Sequence, residues 1–243
     1  RPASLLAARR DHAAGTIGDE ELRDAEDTAI ARIARLQAEL GLCSITDGEF
    51  RREDYSDSFT TAGFEAVGVR EGGDGGWSYS NSSGNQEKGR VAEVDNRLLW
   101  TGPINVENFK HLASVTPSGV PKMTLPGPCY LHFRAGRRNI SRQAYPDLDL
   151  FWQDLVQSYH QEMAALAEAG CRYIQLDETS IAKLGDDAIR QVLAERGDDW
   201  EALLETYTDV INQVAAGTPD GVKLGMHLCR GNKRGHWQAE TGL

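Results

Sequence analysis

The chain has 243 residues, 40% hydrophobic and 26% charged, which suits one well-buried domain. Its formal net charge is −11, and basic residues cluster no further than short pairs such as Arg51-Arg52 and Arg137-Arg138. A duplex or an anionic membrane calls for a basic stripe, so neither nucleic acid nor membrane is expected as a partner. No apolar run approaches the roughly 18–20 residues that cross a bilayer, and with no basic-then-apolar stretch at its start export is not expected. Four cysteines at 43, 129, 171 and 229 form no close pair, which points to free thiols in a reducing, cytoplasmic setting. Cys43, Cys129 and Cys171 lie in or beside apolar runs and are expected to be buried packing residues.

Asp19 to Leu40 is the first expected helix, with Leu22, Ala25, Ala29, Ile33, Leu36 and Leu40 at spacings of three and four. Gly41 stops it, and Leu42 to Thr46 follows as a short strand ending in Asp47-Gly48-Glu49. Glu71 to Asn85, rich in Gly and Ser, is expected to be a flexible surface loop, either a plain insertion or a lid that brings Trp77 or Tyr79 to substrate. Leu98 to Ile104 and Val120 to Leu125 are further candidate strands. Leu148 to Ala169 is a strong helix, with Phe151, Leu155, Tyr159, Met163 and Leu166 on one face. Gly170 ends it, and Cys171 to Leu176 reads as a buried strand leading to Asp177-Glu178. The unit returns as a helix over Trp200 to Ala216, a turn, and a strand from Val222 to Met226 that leads to His227-Leu228-Cys229.

Helix, glycine stop, strand and polar residues occur three times, as parallel strands with helical crossovers require. An open doubly wound sheet fits the pattern, but no GxGxxG opens a helix after a strand. Three strands ending in chemically capable side chains favour an α/β fold of the (β/α)8 TIM-barrel type, whose strand ends share one mouth.

His227 and Cys229 are the sharpest chemical signal. Side chains two apart on a strand point the same way, with origins about 6–7 Å apart, so imidazole and thiolate can grip one ion. That soft donor pair favours zinc over magnesium or calcium. The plain alternative is a core cysteine beside a satisfied histidine. Asp47 and Glu49 stand two apart around a glycine; one could bind a substrate ammonium, or they could be a helix N-cap and a surface acid, simply paired with Arg51 and Arg52. Asp177 and Glu178 are adjacent on a strand, so one of them enters the pocket, unless the pair serves only as a turn cap. A thiol substrate carrying an amino group needs both features, a metal to hold its sulfur and acids near its ammonium.

Four motifs together resemble the cobalamin-independent methionine synthase family, both its catalytic barrel and its short single-domain bacterial relatives. They are Ile45-Thr46-Asp47-Gly48-Glu49-Phe50-Arg51-Arg52, Pro126-Gly127-Pro128 with Leu131-His132-Phe133-Arg134, Tyr173-Ile174-Gln175-Leu176-Asp177-Glu178, and Met226-His227-Leu228-Cys229-Arg230-Gly231-Asn232. The resemblance implies a zinc-dependent methyltransferase that moves a methyl group from 5-methyltetrahydrofolate, or a simpler methyl donor, to homocysteine. It implies His227 and Cys229 as metal ligands and Glu49 and Asp177 as the grip on the amino group. Asp177 is thereby the candidate catalytic residue, with Glu49, Asp177, Glu178 and Asp47 as candidate substrate-binding acids. The family's other zinc ligands, a glutamate and a second cysteine, lie on later strands beyond Leu243. Residues 1–243 are therefore expected to be one barrel domain lacking its first strand and its last ones, part of a longer protein. Alternatives are alkyl transfer to another small thiol, as in epoxide:thiol transferases, and a metal-free related barrel such as a tetrapyrrole decarboxylase. The His-x-Cys pair argues against the metal-free one.

Overall fold

The computed structural model describes residues 1–53, 59, 64, 67–70, 78–80, 86–88, 91–233 and 236–241. It opens with α1 (Ala3–Ala13), a helix whose only buried side chain is Leu5, so no apolar periodicity announces it. α2 (Asp19–Glu39) follows and stops where Gly41 adopts a φ of 78°, a left-handed turn that favours glycine. The buried face of α2 differs from the expected one. Leu36 and Leu40 are 46% and 70% exposed, while Glu26, Ala29, Ile30 and Ala34 are buried. Glu26 accepts from Arg9 and Arg51, so ion pairs help choose which side of the helix turns inward.

β1 (Ser44–Ile45) precedes a long excursion. Within it β2 (Val67–Arg70), β3 (Ser78–Ser80), β4 (Gln86–Lys88) and β5 (Val91–Val94) form two nested antiparallel pairs, β2 with β5 and β3 with β4. The Gly- and Ser-rich stretch thus contains β3, while Trp77, the remainder of 71–85 and the side chain of Tyr79 lie outside the described residues.

Leu98 to Ile104 is not the expected strand but irregular chain. Its donors find side chains instead of a ladder. The Leu98 N–H donates to the Tyr145 hydroxyl, and the Trp100 indole and the Ile104 N–H donate to Glu162 at 3.0 and 3.1 Å. The main chain and side-chain amide of Asn105 complete the set on Glu162, which is fully buried. A buried backbone N–H must have a partner, and here a carboxylate supplies it.

After α3 (Val106–Val115) the expected strand Val120 to Leu125 is divided at Lys122 into β6 (Val120–Pro121) and β7 (Met123–Pro126). The division changes partners rather than direction. The N–H groups of Val120 and Lys122 donate to Cys43 and Ile45 beside β1, while the Gly127 N–H donates to Asp177 on the other side. Five helices and two strands follow: α4 (Tyr130–Ala135), α5 (Leu148–Glu168), β8 (Tyr173–Glu178), α6 (Ser180–Lys183), α7 (Asp187–Arg196), α8 (Trp200–Ala216) and β9 (Lys223–Leu228). A small antiparallel pair, β10 (Asn232–Lys233) with β11 (His236–Trp237), lies beyond β9.

β7, β8 and β9 form a parallel three-stranded sheet, and β1 runs parallel beside β6. The order β1, β6–β7, β8, β9 with helical crossovers is an α/β arrangement. Among the described residues these strands form short two- and three-stranded sheets and close no barrel, so the incomplete barrel expected from the repeats is seen only as its α/β alternation. The five face residues of α5 named above are all fully buried, packed over Leu125, Ile174 and Leu176 of the sheet and against Tyr207, Val210 and Val214 of α8. Each contributes about 1.5–3 kcal/mol by leaving water. Cys129 and Cys171 are buried as expected, but Cys43 is exposed, because it sits in the open turn between Gly41 and β1. No helix among the described residues is long and apolar enough to cross a membrane.

Candidate active site

Asp47, Gly48 and Glu49 form the turn that leaves β1. Asp47 is buried, and its Oδ1 accepts from the Glu49 N–H at 2.9 Å. Gly48 and Glu49 both take positive φ, 65° and 56°, and Glu49 is the one non-glycine residue to do so among the described residues. A Cβ on Gly48 would stand 2.8 Å from the Phe50 ring, so the turn needs glycine there for space as well as for conformation. Left-handed backbone at a glutamate costs about 1 kcal/mol and persists only where the surroundings hold it.

They hold it on two sides. Toward the sheet, the Glu49 carboxylate accepts from the Thr124 hydroxyl at 3.1 Å and has the Arg52 guanidinium 3.7 Å away. Arg52 is itself buried and donates to both the hydroxyl and the carbonyl of Thr124 on β7. Toward the helices, Arg9 of α1 donates to the carbonyls of Phe50 and Arg52. Burial pushes the Glu49 carboxyl above the usual glutamate value; the Arg52 cation opposes the rise, and the negative charges of Asp177 and Asp47 add to it. Glu49, Asp47 and Asp177 therefore share one electrostatic neighbourhood.

Asp177 stands near the end of β8, 8% exposed, with its Oδ1 accepting from the Gln175 side chain at 2.7 Å. Glu178 goes elsewhere, as alternation along a strand requires. Its two oxygens accept from the main-chain N–H groups of Ser180 at 2.7 Å and Cys129 at 3.2 Å. Burial raises its carboxyl while these bonds lower it. Glu178 thus ties α4 and α6 to the strand end and does not join Asp177. Gly127 makes that closeness possible, since a Cβ there would fall 2.3 Å from a Glu178 oxygen.

His132 is likewise turned away from the strand ends. It is buried on α4 with Nδ1 2.9 Å from the Tyr207 hydroxyl, among the rings of Phe151, Trp152 and Tyr207. Burial drives it down to about 3, so the imidazole is neutral at physiological pH.

His227 and Cys229 occupy the end of β9. His227 is directly opposite Asp177 in the β8–β9 register, and opposed residues of a parallel pair face the same side. It is exposed, as are its neighbours Met226 and Leu228 at 50% and 52%. Cys229 is half-buried, and its sulfur accepts from the Gly231 N–H at 3.3 Å. Imidazole and thiolate fit zinc in kind, but two ligands are half the usual number. Among the described residues no group of three or more His, Cys, Asp or Glu side chains could hold a metal ion.

Sequence reading overlooked Thr124 and Arg9. Thr124 could have been found as the lone hydroxyl inside the apolar stretch Met123 to Pro126 that is buried throughout. Arg9 carries no local signal, because it acts 41 and 43 residues away. Arg52 does approach Glu49 as considered, whereas Arg51 pairs with Glu26 and Asp27 instead.

Comparison with known proteins supplies the rest. The family model described as the cobalamin-independent synthase catalytic domain matches residues 2–236. The uncharacterized protein YxjH of Bacillus subtilis is 34% identical over 247 residues, covering 100% of this chain and 62% of that protein. A methionine synthase of Sulfurisphaera tokodaii is 28% identical over 234 residues, covering 95% of this chain and 59% of its own length. Among solved structures, a putative vitamin-B12 independent methionine synthase from Listeria monocytogenes superposes with a TM-score of 0.75 at 31% identity, over 95% of this chain and 63% of that one. The chain spans about three fifths of the length of these relatives. It belongs to the family of cobalamin-independent synthase catalytic domains.

Proposed function

We propose that this chain carries the acceptor-binding part of a zinc-dependent methyltransferase that methylates the thiolate of homocysteine, giving methionine, with 5-methyltetrahydrofolate or a simpler methylated compound as donor. The observation that carries the reading is the pairing of two carboxylates, the half-buried Glu49 and the buried Asp177, from the ends of different strands in one electrostatic neighbourhood. A carboxyl whose pKa is raised by burial and by neighbouring acids gains most from a cation, and a substrate ammonium is such a cation. Asp47 supports the same role indirectly by holding the Glu49 N–H.

His227, level with Asp177 on the next strand, and Cys229 are the proposed metal ligands, with the remaining ones supplied from outside the described residues. Bound zinc would supply a Lewis acid that keeps an acceptor sulfur as thiolate near neutral pH. Glu49 and Asp177 then orient the acceptor so that its sulfur points toward β9, a positioning that saves the entropy of bringing two reactants together. The strand order and shared rim support a (β/α)8 barrel for the complete domain. Four free cysteines suit a cytoplasmic setting.

The test uses the whole protein, incubated with homocysteine and each donor in turn, with methionine read by mass spectrometry and zinc measured in parallel. Methionine formation, with about one zinc per chain falling below about 0.2 in His227→Ala, supports the reading. Less than about 0.2 zinc per chain in the unaltered protein overturns it. Product from a simple methylated donor and none from methyltetrahydrofolate assigns the donor to the first.

A further inference from the structure

Glu49 sits in a conformation that a glutamate does not choose, so something outside the turn must impose it. We propose that Arg9, on the outer helix α1, is a positioning residue for acceptor binding: its guanidinium fixes the main chain on the far side of Glu49 and so aims the carboxylate. The inference rests on the reading of Glu49 as a grip for the acceptor's amino group.

Three observations support it. Arg9 Nη2 donates to the Phe50 carbonyl at 2.6 Å and Nη1 to the Arg52 carbonyl at 3.0 Å. A planar fork spanning two acceptors fixes their separation, which a lysine ammonium on a flexible stem cannot do. Second, the fork is itself braced. Arg9 also reaches Glu26 Oε1 at 3.2 Å; Glu26 receives Arg51 at 3.3 Å, and Arg51 reaches on to Asp27. The side chains of Arg9, Glu26 and Arg51 are 20%, 11% and 8% exposed, so this network is screened far less than a surface one. Third, the carbonyls that Arg9 holds belong to the two residues around Arg51, immediately after Glu49, and the second is that of Arg52, whose own guanidinium braces Thr124 against the Glu49 carboxylate. The Arg1 side chain also donates to the carbonyls of Glu49, Arg52 and Glu53, yet among the described residues it is Arg9 that joins Phe50 to Arg52 through one planar fork.

Loss of the fork lets the turn relax toward ordinary backbone, which swings the carboxylate away from Thr124 and Asp177. The consequence is selective: an acceptor with an amino group loses affinity, and one without it does not.

The experiment measures binding of L-homocysteine and of its des-amino analogue 4-sulfanylbutanoate to the zinc-loaded whole protein by calorimetry. The variants are Arg9→Gln, Arg9→Lys, Glu49→Gln and the double Arg9→Lys/Glu49→Gln. The unaltered protein is expected to prefer homocysteine by about tenfold or more, and Glu49→Gln to erase the preference. Arg9→Lys is expected to cut the preference about threefold to tenfold while 4-sulfanylbutanoate binds within about twofold of the unaltered protein. In the double variant Arg9→Lys adds nothing, because a positioning residue acts only through the group it positions. If Arg9→Gln fails to fold, Arg9→Lys decides alone, since it keeps the charge and the pairing with Glu26. Full preference in Arg9→Lys with none in Glu49→Gln overturns the inference and leaves the amino-group reading standing. Equal losses for both acceptors also overturn it. Full preference in Glu49→Gln overturns the reading itself, and this inference with it.

Discussion

The turn after β1 and the end of β9 carry the two halves of the candidate site, and they are built in opposite ways. Around Glu49 every neighbour is braced: Asp47 takes its N–H, Thr124 and Arg52 flank its carboxylate, and Arg9 grips the chain behind it. At β9, His227 is exposed, the flanking Met226 and Leu228 are half bare, and β8 is the single ladder partner among the described residues. The loop past Cys229 is tethered chiefly at Asp186, whose Oδ2 accepts from the N–H groups of Glu240 and Thr241 at 2.7 and 2.9 Å. Rigidity on the acid side and openness on the sulfur side fit different tasks. An ammonium is chosen by fixed charges, whereas ligands to a metal are drawn into geometry by the ion they bind.

That contrast can be broken at three points. The largest effect is expected at Gly127→Ala, which forces a Cβ to 2.6 Å from the Glu178 Cα behind the rigid side. Overpacking against backbone should cost about 3 kcal/mol in urea denaturation, and a loss under about 1 kcal/mol would show that the strand end yields. Next comes pH. The proposed grip on homocysteine needs Glu49 ionised, and the Glu49 carboxyl is raised above its ordinary value, so it takes up a proton at higher pH than a free glutamate. Affinity for homocysteine should therefore fall as pH drops through that raised value, with a limiting slope of about tenfold per pH unit. Glu49→Gln should bind weakly and without this acid limb; an unchanged limb in that variant would assign the titration to another group. The smallest effect is expected on the open side. Asp186→Ala, made in a Cys43→Ser background, should speed Cys229 modification by a thiol reagent about fivefold, as the loop loses its tether. An unchanged rate would mean that Arg230, which donates to the Ala239 carbonyl at 2.8 Å, holds the loop unaided.

The same contrast explains what could be read from sequence. α5 and α8 begin within a residue of the positions expected from periodicity, each started by an aspartate, Asp147 or Asp199, whose side chain accepts from the first turn. β8 and β9 follow their glycine stops as expected, because apolar runs between helices are local signals. Leu98 to Ile104 misled for the converse reason: its apolar residues suit a strand, but its donors are claimed by Tyr145 and Glu162, 47 and 58 residues away. α1 offered nothing periodic to read, and with it went Arg9, which holds the Glu49 turn from outside. On the site, the acids and the His-x-Cys pair are legible as short motifs, and Glu178 could be separated from Asp177 by alternation alone. Thr124 and Arg9 were not, since each meets Glu49 or its turn through the tertiary fold.

Glu162 has a consequence of its own for how this protein can vary. Two of the four groups it accepts are main-chain N–H groups, which every residue except proline provides. The connection it anchors can thus drift widely in amino-acid identity at Ile104 without losing its mooring. It cannot as readily change length, because the spacing from Trp100 to Asn105 is what lets donors from both ends of the segment reach the same carboxyl group.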